Sequence, residues 1–169
     1  MMKKARFEWV IVLLLFMQTS IRAGKDTFWL GIAGGQSTVD IGGTLFFNAS
    51  YQSQCHCFSV RTLGTGAWLD KGKNMSECSV LYHRATQPSS FYLSAGAGLG
   101  FVHGWIDESG IFGTKEDTEL GKKLGVPLEI QFIWRPLPIV GVGVTGFANI
   151  NSVESYAGWL LTLQVGKLK

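Results

Sequence analysis

The segment "LGVPLEIQFIW", Leu124 to Trp134, alternates without a break: Val126, Leu128, Ile130, Phe132 and Trp134 interleave with Pro127, Glu129, Gln131 and Ile133. A side-chain period of two belongs to a strand, so one face is pure hydrocarbon and the other carries a charge. The pattern recurs where Phe91, Leu93, Ala95, Ala97, Leu99, Phe101, His103 and Trp105 oppose Tyr92, Ser94, Gly96, Gly98, Gly100, Val102 and Gly104. It recurs again where Ala157, Trp159, Leu161, Leu163 and Val165 oppose Tyr156, Gly158, Leu160, Thr162, Gln164 and Gly166. A soluble barrel would turn the apolar face inward and need large polar residues outside. Here the second face is mainly Gly, Ser, Thr and Gln, which suits the narrow interior of an eight-stranded barrel and leaves the hydrocarbon to meet lipid.

No helical stripe interrupts this reading. Alternation and turn residues predict eight extended segments: 27–34, 43–52, 57–68, 78–85, 91–105, 124–134, 139–150 and 156–166. The expected fold class is therefore all-β, an eight-stranded antiparallel up-and-down transmembrane barrel. "GVGVTG", from Gly141 to Gly146, matches the dinucleotide pattern G-x-G-x-x-G literally, yet no helix follows it to receive a phosphate. Read with period two, Val140, Val142, Val144, Gly146, Ala148 and Ile150 share a face, and the motif is one more strand.

The first residues combine Lys3, Lys4 and Arg6 with an apolar run from Trp9 to Met17, then a polar stretch ending in Ala23-Gly24. That is the layout of a secretory signal peptide over 1–23, too short in its apolar part to span a bilayer as a helix, followed by a barrel domain over 24–169. With Lys3, Lys4, Arg6, Arg22 and Glu8 removed, the net charge of +3 falls to zero. Nothing in that balance invites a nucleic acid. Cys55, Cys57 and Cys78 can form a short or a longer disulfide or remain thiols; with His56 they are too few for a zinc site, so neither metal nor cofactor is expected.

The connections alternate in character. "SQCH", "TQPSS" and "RPLP" are short, whereas "IDESGIFGTKEDTELGKK" is long and charged, the asymmetry of periplasmic turns against external loops. Aromatic residues sort by end as well: Phe28, Tyr51, Phe58, Phe91 and Trp134 fall at the periplasmic ends, and Trp68, Trp105 and Trp159 near the external ends, as two membrane interfaces would select.

By this whole-chain pattern, and in the wording of "FYLSAGAGLGF", the sequence resembles the small outer-membrane β-barrels of Gram-negative envelopes, OmpX-like and opacity-protein-like. It departs from them in ending "LQVGKLK" instead of in an aromatic residue. The resemblance implies a bacterial outer-membrane location, outer-membrane lipid and lipopolysaccharide as surroundings, a monomer, and a structural or surface-binding role, with loop 106–123 carrying any contact to an extracellular ligand.

Two constellations could carry chemistry. His103, Asp107 and Ser109, in "HGWIDES", offer a base, an orienter and a nucleophile near the external rim, the set a lipid acyl hydrolase or transferase would use. Arg61 and Glu129 fall on the polar faces of their strands, where each needs a partner, so a luminal ion pair is expected. A third alternative, a soluble barrel around an apolar ligand, requires the faces to be reversed.

Overall fold

A computed structural model describes residues 26–39, 43–66, 72–107, 118–152 and 154–169. The expected signal peptide, 1–23, lies outside the described residues.

Eight strands follow one another around a closed antiparallel barrel: β1 (Thr27–Ser37), β2 (Gly43–Ser53), β3 (His56–Gly66), β4 (Gly72–Ala85), β5 (Phe91–Asp107), β6 (Thr118–Trp134), β7 (Val140–Asn151) and β8 (Tyr156–Lys167). β1 pairs with β8 from Phe28↔Lys167 to Ser37↔Gly158, which closes the sheet and removes both edges. Alternation decides which residues point where. Leu30, Ile32, Phe47, Val60, Val80, Leu99, Phe101, Ile130, Phe132, Leu161 and Leu163 all stand exposed on the outer wall, while Arg61, Glu77, Glu129 and Gln164 are buried inside. Only lipid can cover such a wall without penalty, so the barrel is of the transmembrane kind. The reversed arrangement, apolar faces inward around a ligand, is not the one adopted.

The β2–β3 hairpin turns on two residues, with Ser53 paired to His56. Gln54 there adopts φ 56°, a left-handed conformation needed to reverse a twisted ribbon tightly. The Gln52 side chain holds this turn to the next one, donating from Nε2 to Gln54 O at 2.6 Å and to Thr86 O at 2.8 Å.

Two strands begin six residues earlier than the alternation predicts. β4 begins at Gly72 instead of Cys78, and β6 at Thr118 instead of Leu124. Beyond the bilayer a ladder still gains its backbone hydrogen bonds but no longer needs an apolar face, so polar residues such as Lys73, Lys122 and Lys123 continue the strand and hide its end. At the same height the β5–β6 register slips between Gly104 and Trp105, with Gly121 at φ 92° absorbing the extra residue as a bulge. β4, β5 and β6 therefore run about six residues past their last lipid-facing positions, Cys78, Phe101 and Leu124, roughly 20 Å of strand. On the other side of the barrel β7 and β8 stop near the apolar wall. β7 reaches one residue past Ile150, and β8 starts three before Trp159.

Candidate functional site

The lumen is organised in three layers. At the external end Ala33, Val39, Phe46, Leu63, Met75, Val102, Phe147, Tyr156 and Leu160 form one buried apolar cluster. At the periplasmic end Trp29, Cys57, Ala85, Tyr92, Ile133 and Leu168 form a second. Between them lies a connected polar network.

Its centre is Arg61, fully buried on β3. Arg61 donates from Nε to Glu77 Oε1 at 3.0 Å and from Nη1 to Glu129 Oε2 at 2.9 Å, with a further short contact from Nη2 to Glu77. The expected partners Arg61 and Glu129 thus meet across the lumen, from strands that are not neighbours. Glu77 also accepts from Ser79 Oγ at 2.6 Å, Asn149 Nδ2 at 2.9 Å and Tyr156 OH at 2.7 Å, so both its oxygens are satisfied. Glu129 Oε1 accepts from Gln131 Nε2 at 2.6 Å and lies 3.9 Å from His83 Nε2, which is 2.9 Å from Ser59 Oγ. Gln164 links Gln131 to Arg135 at 3.1 Å on either side, and Arg135 Nη1 donates to Leu168 O at 3.1 Å.

Arg135 belongs to the β6–β7 turn, yet its guanidinium folds up into the barrel between the rings of Trp29 and Tyr92, 4.8 and 3.9 Å from their centroids. Burial lowers its pKa to about 10, which leaves it charged at neutral pH. Pairing with Arg61 offsets the cost of burying Glu77 and Glu129, whereas Arg135 is held by Gln164, the Leu168 carbonyl and the two rings.

Sequence reasoning missed Glu77, His83 and Arg135. Glu77 sits in a stretch whose Lys-Asn-rich wording reads as a loop; the periodicity carried back from Cys78 and Val80 would have placed it inside. Arg135 gives no such signal, because a turn residue has no face.

The other expected residues fall as follows. Phe28, Tyr51, Phe58, Phe91 and Trp134 all stand about half exposed on the outer wall at the periplasmic end, and Trp159 does so at the external end. Trp105 is half-buried, and Trp68 lies outside the described residues. His103 is on the outer face, its ring stacked on Trp105 with centroids 5.4 Å apart. Asp107 ends β5, and Ser109 lies outside the described residues. Cys55, Cys57 and Cys78 are thiols. The strand pleat separates the "CHC" donors: Cys57 is buried inside while His56 is exposed outside. No three His, Cys, Asp or Glu side chains converge on a metal position among the described residues.

No protein-family model and no curated protein matches the chain. Solved structures do. Neisserial surface protein A (NspA) aligns with a TM-score of 0.63 at 12% identity, covering 86% of this chain and 99% of that one. Ail, the attachment invasion locus protein of Yersinia pestis, aligns at 0.58 with 13% identity and the same coverage, and at 0.52 in a complex with the heparin analogue sucrose octasulfate. At such identities the likeness is one of fold: this chain has the architecture of the small outer-membrane barrels, the architecture its sequence resembled.

Proposed function

We propose that this chain is a bacterial outer-membrane barrel that neither conducts nor catalyses, and that it acts by holding a binding surface outside the cell. One observation carries this reading. The interior is closed by a salt-bridged network between two apolar layers, whereas β4, β5 and β6 stand beyond the lipid-facing wall and support the charged connection over 106–123. A rigid scaffold presenting a charged loop is how many binding surfaces are built. The connection 106–123 carries five carboxylates against three lysines, so its charge suits a cationic or divalent-cation-bridged extracellular ligand.

The test begins with cell fractionation. The protein is expected in the outer membrane, resistant to salt extraction, migrating as a compact band that shifts only on boiling. Exchanging residues 108–117 for a short Gly-Ser linker should keep that band and abolish adhesion of expressing cells to a host-cell surface. Adhesion that survives the exchange overturns the reading. His103→Ala should leave lipid A and phospholipid acylation unchanged, and a lost acyl modification would favour the lipid-modifying alternative instead.

A further inference from the structure

On the outer wall at the periplasmic end, β3 and β4 bring three polar side chains together just beyond the aromatic belt. His56 and Arg84 are cross-strand partners, and Phe58 and Tyr82 are the next pair on the same face. Arg84 Nη1 lies 3.1 Å from His56 Nε2, and His56 Nδ1 lies 2.8 Å from Tyr82 OH. Arg84 Nη1 also lies 3.4 Å from His56 Nδ1, so the guanidinium nitrogen stands over the imidazole face and not in line with either ring nitrogen. The relay presents donors to its surroundings, a cation among them.

Its height on the wall says what those surroundings are. Phe58 and Tyr82, tilted against each other with centroids 5.3 Å apart, belong to the aromatic girdle; His56 and Arg84 lie two residues further out, roughly 7 Å along the strand. On the next strand Phe91 lies four residues further out than Ala95, the partner of Arg84, so the relay sits within the interfacial girdle, from which a guanidinium reaches lipid phosphates.

The wall beside the relay has a matching apolar furrow. Ala95 pairs with Arg84 on one side and Ile130 on the other, and Ala97 pairs with Tyr82 and Leu128. Both alanines are exposed, and both are much smaller than their flanking neighbours on either strand. The furrow is two strand spacings wide, roughly 10 Å, and runs from the relay toward the membrane centre.

Resting on the outer-membrane reading above, we propose that Arg84, His56 and Tyr82, with the furrow floored by Ala95 and Ala97, form a site for one anionic phospholipid of the periplasmic leaflet. The phosphate diester accepts from the Arg84 guanidinium and the Tyr82 hydroxyl, and one acyl chain lies over the two alanines. Charge complementarity selects the headgroup and the furrow selects a chain-bearing molecule over a free phosphate.

The full chain, folded in detergent micelles, is titrated with phosphatidylglycerol and with phosphatidylcholine and bound lipid is counted by native mass spectrometry. Wild type is expected to retain one phosphatidylglycerol in preference to phosphatidylcholine. Arg84→Gln should weaken phosphatidylglycerol about tenfold, the effect of losing a charge-assisted hydrogen bond, and Tyr82→Phe about threefold. Ala97→Leu, which fills the furrow, should weaken both lipids, and Lys122→Gln at the opposite rim should weaken neither. Undiminished retention by Arg84→Gln, or an equal loss in Lys122→Gln, overturns the site, and undiminished retention by Ala97→Leu overturns the furrow. The boiling-dependent band of each variant reports the barrel separately, so a failed site is distinguished from a failed fold.

Discussion

The middle of the lumen and the middle of the outer wall are one strand apart, and side chains on the two obey opposite rules. Inside, Arg61 is surrounded by Glu77 and Glu129, with Ser, Asn, Gln and Tyr donors completing the carboxylates. Outside, Val126, Leu128, Ile130 and Phe132 stand uncovered by protein. In a soluble protein the second would be a fault. The comparison teaches that the same backbone pleat separates two media, one polar and built from side chains, the other apolar and supplied by the membrane.

The strongest way to break the inner half of that contrast is Arg61→Ala. It leaves two carboxylates facing each other with no cation, and loss of one partner of a buried pair costs about 3–5 kcal/mol. Urea unfolding of the barrel in lipid vesicles, followed by the loss of the compact unboiled band, should register a drop of that size. No change would mean that water replaces the guanidinium, and that the network is not closed. The outer half is broken by Leu128→Arg, which places a charge deep in the apolar wall at an expected cost of about 2–4 kcal/mol, read in the same titration. A neutral result would place Leu128 outside the hydrocarbon zone. Lys73 and Glu154 sharpen the comparison from a third position. Their ion pair spans 2.8 Å at the external rim, but its side chains are 47% and 34% exposed, so Lys73→Ala should cost under about 1 kcal/mol. The same chemistry is strong in the lumen and weak at the rim because water competes only at the rim.

Most of the fold was legible in the sequence wherever one face of a strand touched lipid. Parity alone places Leu128 outside and Glu129 inside, because a one-residue slip would send a carboxylate into hydrocarbon. Legibility stops where that constraint does. At the external end of β4 no lipid covers the outer face, so Asn74 and Ser76 give no apolar signal there and Glu77, buried in the lumen, was hidden among apparent loop residues. The network suffers from the same limit twice, since Arg135 reaches the lumen from a turn. Trp29 and Phe46, large and apolar yet inside, show that inward residues are small and polar only in the middle layer; the ends are filled by bulky rings.

The unequal strand heights give the molecule a front and a back. A barrel with level strands offers the same approach from every compass point, whereas this one raises a three-stranded palisade over one arc and leaves the β7 and β8 side low. A partner arriving from the low side can slide across the mouth at membrane level; from the high side it meets a backbone lattice first. Rotation of the barrel about its own axis, which costs a membrane protein nothing, thereby becomes the coordinate on which any encounter at the cell surface depends.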